Sequence, residues 1–408
     1  MSILKNSYYS LGGKVINIII TMGGMAVLAR LLTPNDFGII AIILGIQTFF
    51  NSILDMGLGP VYIKKKVLTT AFVSSFFTIN VYIGIANVVY LIGSIFIVNS
   101  VYDGMDYTNY ILLFTLSVIF TSISLIYQFN LTKTEQFNKL FIVNVMANVF
   151  SLLIAIIMAL LDYGVYALII KIIAYSLFSM ILLIYFNSNL KLKIVSFNII
   201  KRYIIELKFG IEIFFYRITS GAFDAFDKLI IAKFYSTEII GNYNQSKNLA
   251  MMTDSILRTS LTTVVFARLE KMQDMKQEYY LKYYGIIFLI SLIVPIIFYF
   301  FGDYIILVWL GSQWIMASLM IKPLSLFVIG SIMKGIITMI SMHENKMKTL
   351  NYVNIFISIT FLCLLLFFLK MQIELLSILY YISSVWLGLW FVSLLIVLFY
   401  HTRRNNYD

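Results

Sequence analysis

Long apolar runs broken by short polar segments extend from one end of the chain to the other. A helix rises 1.5 Å per residue and needs about 20 apolar residues to cross the hydrocarbon of a bilayer. Twelve runs reach or approach that length: Tyr9–Arg30, Phe37–Pro60, Ala71–Val98, Tyr110–Asn130, Leu140–Leu161, Gly164–Phe186, Phe209–Ala232, Ile239–Phe266, Tyr283–Phe301, Ile315–Met342, Tyr352–Lys370 and Leu375–Tyr400. The expected fold is all-α and integral to the membrane, with twelve transmembrane helices. The third and tenth runs are longer than a straight crossing and are expected to be tilted or broken. Ahead of the tenth, Trp309-Leu310-Gly311-Ser312-Gln313-Trp314 reads as an interfacial loop with paired tryptophans at headgroup level.

The polar breaks carry their own order. Between the first two runs lies Ala29-Arg30-Leu31-Leu32-Thr33-Pro34-Asn35-Asp36-Phe37-Gly38. Thr33 is placed as an N-cap, and Pro34 takes the first helical position, where a missing N–H costs nothing. Asp36 completes a capping box at the positive end of the helix dipole. A similar turn, Ala232-Lys233-Phe234-Tyr235-Ser236-Thr237-Glu238-Ile239-Ile240-Gly241, follows 203 residues later, close to half of the 408-residue chain. Two similar lobes in tandem are therefore expected: 1–187 with helices 1–6, a cytoplasmic linker 188–208, and 209–408 with helices 7–12. Six helices per lobe is an even number, so both lobes enter the membrane in the same direction. That makes a parallel repeat about an axis along the membrane normal, with a cavity between the halves.

Orientation follows from the basic residues. With the N-terminus inside, the cytoplasmic segments hold 19 Lys and Arg and the outer loops hold three: Arg30, Lys233 and Lys370. The asymmetry has one sign at every loop, so both termini are expected in the cytoplasm. Composition agrees with a multi-pass membrane protein: 61% of residues are apolar, 12% are charged and the mean hydropathy is +0.92, against about 25% charged in soluble domains. The net charge of +11 is scattered between spans and gives no nucleic-acid signal. The first run has no small-residue cleavage pattern and reads as a retained helix.

Several chemistries are excluded. One cysteine, Cys363, allows no disulfide within the chain, and no Cys/His cluster is present to hold a metal. No phosphate-loop motif appears. The two histidines, His343 and His401, fall at cytoplasmic helix ends. Outer loops of about a dozen residues at most leave no room for an extracytoplasmic catalytic domain. The expectation is a secondary transporter without cofactor, not an enzyme such as a polysaccharide polymerase or acyltransferase.

Ionisable residues inside spans are costly and by default face water, substrate or each other. Arg217, Asp224 and Lys228 lie on the seventh run at i, i+7 and i+11; Lys247, Asp254 and Arg258 repeat that spacing on the eighth. At about 100° per residue each triplet falls within a roughly 40° sector. Lys14 is the repeat equivalent of Arg217. Taking 1.5 Å per residue, Lys14, Arg217, Arg258 and Lys334 lie about 9–12 Å inside the cytoplasmic face. Over all spans, Lys14, Lys171, Arg217, Lys228, Lys247, Arg258, Lys322 and Lys334 stand against Asp55, Glu212, Asp224, Asp227 and Asp254. A surplus of cations suits an anionic substrate, with Arg fitted to bidentate phosphate contacts and Lys to point-charge ones. The candidate substrate contacts are Lys14, Arg217, Lys228, Lys247, Arg258 and Lys334. Asp55, Asp224, Asp227 and Asp254 are candidates either for ion coupling, to Na⁺ or H⁺, or for plain pairing with neighbouring cations. Lys171 and Lys322, near outer helix ends, are expected to snorkel. On the first helix, Asn17 and Thr21 form a polar i, i+4 pair that faces either the cavity or a packed neighbour.

The motif over residues 29–38 resembles the first loop of bacterial polysaccharide transporters, the Wzx-type flippases of lipid-linked oligosaccharides. Asp55-Met56-Gly57-Leu58-Gly59 resembles the end of their second helix. Asp162-Tyr163-Gly164-Val165-Tyr166-Ala167-Leu168 resembles their turn between helices five and six, with Asp162 and Tyr166 where the family often has Gly and Trp. Phe226-Asp227-Lys228-Leu229-Ile230-Ile231-Ala232-Lys233, followed by Gly241-Asn242-Tyr243, resembles the seventh-to-eighth helix region. The resemblance implies the two-lobed fold of the multidrug, oligosaccharidyl-lipid and polysaccharide exporter superfamily. It implies a flippase that moves an undecaprenyl diphosphate-linked oligosaccharide, the repeat unit of O-antigen, capsule or exopolysaccharide, from the cytoplasmic to the outer leaflet by alternating access. It further implies residence in the bacterial cytoplasmic membrane, contact with membrane lipids, and work alongside a polysaccharide polymerase and chain-length regulator. A monomer is expected, since the cavity lies within one chain. The alternative is a cation-coupled multidrug exporter of the same fold; Lys14 and the lack of an acid on the first helix count against it.

Overall fold

A computed structural model describes residues 3–54, 58–102, 105–190, 192–204, 225–269, 277–343 and 347–404. Among them every regular element is helical and none is a strand. The chain divides into two compact units, Met1–Ala225 and Phe226–Asp408.

The first unit holds α1 (Ile3–Leu31), α2 (Pro34–Leu54), α3 (Leu58–Lys64), α4 (Thr70–Val101), α5 (Thr108–Lys133), α6 (Phe137–Leu160), α7 (Val165–Phe186) and α8 (Phe197–Ile204). The second holds, from Phe226 on, α9, described over residues 225–234. It continues with α10 (Thr237–Leu269), α11 (Gln277–Leu310), a 3₁₀ turn (Ser312–Trp314), α12 (Ile315–Leu324), α13 (Leu326–His343), α14 (Met347–Lys370) and α15 (Leu375–Arg404). Over the described residues, seven of these helices are long and apolar enough to cross a membrane. The α12–α13 pair, bent by 43° at its break, makes up to eight. That bend answers the expectation for the tenth run: Pro323 sits inside α12 and removes a backbone donor at the break. The third run, by contrast, is one unbroken 32-residue helix, α4. The remaining runs are helical where described. The part of α1 whose side chains are described, Ile16–Leu31, is apolar, and α10 is rich in polar residues. The chain is a multi-pass membrane protein. Large apolar side chains such as Val89, Phe96, Leu289 and Phe300 are exposed on its helices, as a lipid-facing surface requires.

The capping turn forms as its residues dictate. Thr33 Oγ1 accepts from the Asp36 N–H at 3.3 Å, while the Asp36 carboxylate accepts from the Thr33 N–H at 2.8 Å and from its hydroxyl at 2.7 Å. This reciprocal box starts α2 with Pro34 at its first position. Against it lies the α6–α7 turn. Gly164 has φ +51°, and a Cβ there would stand 3.1 Å from Asp36 Oδ1. Two motifs about 130 residues apart therefore meet in space.

On α1, Asn17 and Thr21 meet a neighbouring helix. Asn148 Nδ2 of α6 donates to Asn17 Oδ1 and to Thr21 Oγ1, both at 2.8 Å. Interhelical amides of this kind join membrane helices where hydrophobic attraction is weak. One turn on, Gly24 lets Leu152 approach so closely that a Cβ would meet its Cδ2 at 2.4 Å. In the linker, Val195 N–H donates to Thr78 Oγ1 at 3.1 Å and Tyr203 of α8 packs edge-on against Phe72, with centroids 5.3 Å apart. In the second unit, Phe327, Phe361, Trp386 and Trp390 form an aromatic cluster between α13, α14 and α15. Trp314 is fully buried, so the expected pair of headgroup-level tryptophans is corrected: the 3₁₀ turn points this indole into the protein.

Candidate functional site: a charged constellation on α9, α10 and α13

Among the described residues of the second unit, the buried ionisable side chains Asp227, Lys247 and Asp254 lie on α9 and α10. Asp227 on α9 is fully buried. Its Oδ2 accepts from the Tyr243 hydroxyl at 2.7 Å and pairs with the Lys247 ammonium; its Oδ1 accepts from the Lys228 N–H at 2.6 Å. Tyr243 and Lys247 are one turn apart on α10, so a single helix face presents both donors to the carboxylate. Lys247 is 5% exposed. This cation therefore holds α9 to α10 through Asp227.

Two turns beyond Lys247 on α10, Asp254 is also buried. Its Oδ2 accepts from Ser331 Oγ at 3.0 Å and pairs with Arg258 Nε at 3.2 Å. The i, i+4 pairing of Asp254 with Arg258 follows the expected spacing, and Ser331 adds the link to α13. The Arg258 side chain is 46% exposed, so its guanidinium is oriented by Asp254 and still reachable. Lys334, one turn beyond Ser331 on α13, lies 5.5 Å from the Trp390 ring centre and 6.0 Å from that of Trp386. At these distances an ammonium is attracted to the indole faces. Gly330, a turn before Lys334, makes this possible: a Cβ there would stand 2.6 Å from Trp386 Cδ1.

Arg258 and Lys334 are thus brought onto neighbouring helices, joined through Asp254 and Ser331. Lys228 is half-buried on the described part of α9. Lys322 pairs with Asp303 of α11 at 2.7 Å, so its expected snorkelling is replaced by a salt bridge. The side chain of Lys14, and Asp55, Arg217 and Asp224 altogether, lie outside the described residues. Sequence reasoning assigned no role to Tyr243 and did not raise Ser331, Trp386 or Trp390. The i, i+4 spacing of Tyr243 and Lys247 was a visible signal, but only the fold supplies Asp227 between them. Among the described residues, no group of His, Cys, Asp and Glu is arranged to hold a metal ion.

The family model described as "Polysaccharide biosynthesis protein" matches residues 27–319. The chain belongs to this family. No curated protein matches it in sequence. Among solved structures, the family member is similar to the lipid II flippase MurJ in an inward closed conformation, with a TM-score of 0.71 at 15% identity, covering 94% of this chain and 86% of that one. It is also similar to an inward-facing multidrug resistance MATE family transporter of the MOP superfamily, with a TM-score of 0.61 at 14% identity over 97% and 94% of the two chains. A third is a MOP superfamily transporter from Pyrococcus furiosus described by a binding pocket of reversed polarity, with a TM-score of 0.56 at 13% identity over 96% and 93%. These likenesses establish the fold.

Family motifs and site geometry coincide in this polysaccharide biosynthesis protein. Asp227 belongs to one motif and Tyr243 to the next, and they are hydrogen-bonded to each other. Asn242, between Gly241 and Tyr243, donates to the Glu238 carbonyl at 2.9 Å and accepts from the Ala317 N–H at 3.0 Å. It thereby anchors the start of α12 on α10. These motif residues build the scaffold that carries Arg258 and Lys334.

Proposed function

We propose that this polysaccharide biosynthesis protein is a flippase that carries an undecaprenyl diphosphate-linked oligosaccharide from the cytoplasmic to the outer leaflet of a bacterial cytoplasmic membrane. The carrying observation is the surplus of cations in the second unit. Among its described residues, Lys228, Lys247, Arg258, Lys322 and Lys334 stand within the predicted spans against Asp227, Asp254 and, at the end of α11, Asp303. A lipid-facing protein keeps such an excess at a cost, which a diphosphate offsets on binding. Arg258, exposed and steered by Asp254, is the proposed bidentate contact; Lys334, held on two indoles, is the proposed point-charge contact. Lys247 and Asp227 serve as the tie beneath them. Membership of a polysaccharide biosynthesis family and likeness to a lipid II flippase support the same reading.

Alternating access by a single chain, without cofactor or catalysis, accounts for this architecture. A Na⁺ or H⁺ gradient is the proposed drive, and membrane lipids, a polymerase and a chain-length regulator are the proposed partners. The test is the lipid-linked sugar pool in a strain lacking the gene. Accumulation of an undecaprenyl diphosphate-linked oligosaccharide on the cytoplasmic side, reversed by the wild-type gene but not by Arg258→Gln at equal protein level, is the expected result. An unchanged pool together with greater sensitivity to cationic dyes overturns it in favour of the multidrug exporter, a reading that the MATE-like fold also accommodates.

A further inference from the structure

A cavity of about 730 Å³ lies inside the first unit, between α2, α4, α5 and α7. That is the size of a small-molecule site and far more than a single bound water requires. Among the described residues its lining contains no Asp, Glu, Lys, Arg or His, and half of those residues carry an amide or a hydroxyl. Asn80 lines it from α4, about three turns in from the start of the helix. This residue is 2% exposed, and its Nδ2 has no hydrogen-bond partner among the described residues.

Helix packing explains part of this composition. Ser117, Thr121 and Ser122 of α5 donate to carbonyls three or four residues back, at 2.7, 2.8 and 2.8 Å, as hydroxyls in membrane helices do. Packing does not explain the empty space or the Asn80 amide. A buried amide hydrogen without an acceptor costs about 1–3 kcal/mol. The hydroxyls, having spent their protons on the backbone, keep oxygen lone pairs as acceptors; Asn80 and Gln128 supply donors. An uncharged ligand whose groups both donate and accept satisfies both sets. Among the described lining residues a diphosphate finds no cation, and a cationic drug finds no acid. A hydrocarbon tail would leave the polar groups unsatisfied.

We propose that this cavity holds the uncharged, hydroxyl-rich glycan of the transported lipid, with the partly exposed rings of Phe129 and Tyr175 in its lining for contact with sugar rings. The inference rests on the flippase reading and adds a separate, charge-free subsite to it. The test uses the full chain in lipid nanodiscs. The probes are the lipid-linked glycan purified from the deletion strain, undecaprenyl diphosphate without sugar, and a phosphatidylglycerol control. Asn80→Leu removes an unsatisfied amide, so its thermal stability should equal or exceed that of the wild type.

The expected result is tighter wild-type binding of the glycan-bearing lipid than of bare undecaprenyl diphosphate. Asn80→Leu should lose that preference by about tenfold, a single hydrogen-bonding group's share, with binding of the bare lipid unchanged. Gln128→Leu, at an exposed position on α5, should do the same and keeps the test alive if Asn80→Leu does not fold. A preserved preference in both variants overturns the cavity assignment and leaves the flippase reading standing. Wild-type binding of both undecaprenyl lipids no tighter than of phosphatidylglycerol overturns the flippase reading and this inference together.

Discussion

Asp227 and Lys247, twenty residues apart on successive helices, form an ion pair that is almost wholly buried. Tyr243 closes the carboxylate from the same side as the lysine. Removing one partner of a buried pair leaves a stranded charge and typically costs about 3–5 kcal/mol, whereas replacing both by apolar groups is near neutral. Asp227→Asn and Lys247→Met alone should each lower the unfolding temperature of the purified protein sharply. The double variant should recover most of the loss. A double variant that is stable and exports glycan would identify the pair as structural; one that is stable and inactive would bring it into the transport cycle.

At Gly330, one turn from Lys334, α13 packs tightly against Trp386 of α15. A Cβ would stand 2.6 Å from Trp386 Cδ1 and 2.7 Å from its Nε1, so Gly330→Ala must push the indole aside. Overpacking of this kind typically costs about 1–3 kcal/mol. A shift in tryptophan fluorescence should accompany the loss of stability, and export should fall as Lys334 loses its ring contacts. Unchanged fluorescence would show that the helices part without moving the indole.

Asp162 adopts φ +58° at the end of α6, followed by Gly164 at φ +51°. The Tyr163 N–H reaches back to the Met158 carbonyl at 3.1 Å, closing a Schellman-type turn. A non-glycine residue in this conformation carries a strain of about 1 kcal/mol. Asp162→Gly should therefore raise the unfolding temperature slightly. Gly164→Ala should lower it more, because there the left-handed backbone coincides with close approach to Asp36.

The α4–α5 connection predicts a pH response. The Asp106 carboxyl is held below the usual carboxylate range, first by the Thr108 hydroxyl and N–H and then by the Asn99 amide. A depressed folded pKa means that these bonds stabilise the turn fully above the unfolded carboxyl value of about 3.9. They are lost as pH falls through the lower folded value. Hydrogen-exchange protection of the Thr108 amide should be constant from neutral pH down to about 5 and then decline, and Asp106→Asn should remove that decline.

The sequence by itself determined the class of fold. Apolar runs of membrane-crossing length specify helices because backbone polar groups in lipid have no other way to be satisfied. Thr33, Pro34 and Asp36 specify their turn because capping is local, with every partner within three residues. Asp254 and Arg258 were legible for the same reason, being one turn apart on one helix. Only the tertiary structure decided what non-local groups do. Lys247 was legible only as a cation within a span until α9 placed Asp227 beside it. Asn17 and Thr21 had no visible partner until α6 brought Asn148 against them. Lys334 and the Trp386–Trp390 pair are more than fifty residues apart, and no periodicity joins them. A hydropathy pattern records which residues avoid water or lipid. Which buried polar group meets which depends on helix rotation and approach, set by packing residues such as Gly24 and Gly330 whose partners the chain order does not reveal.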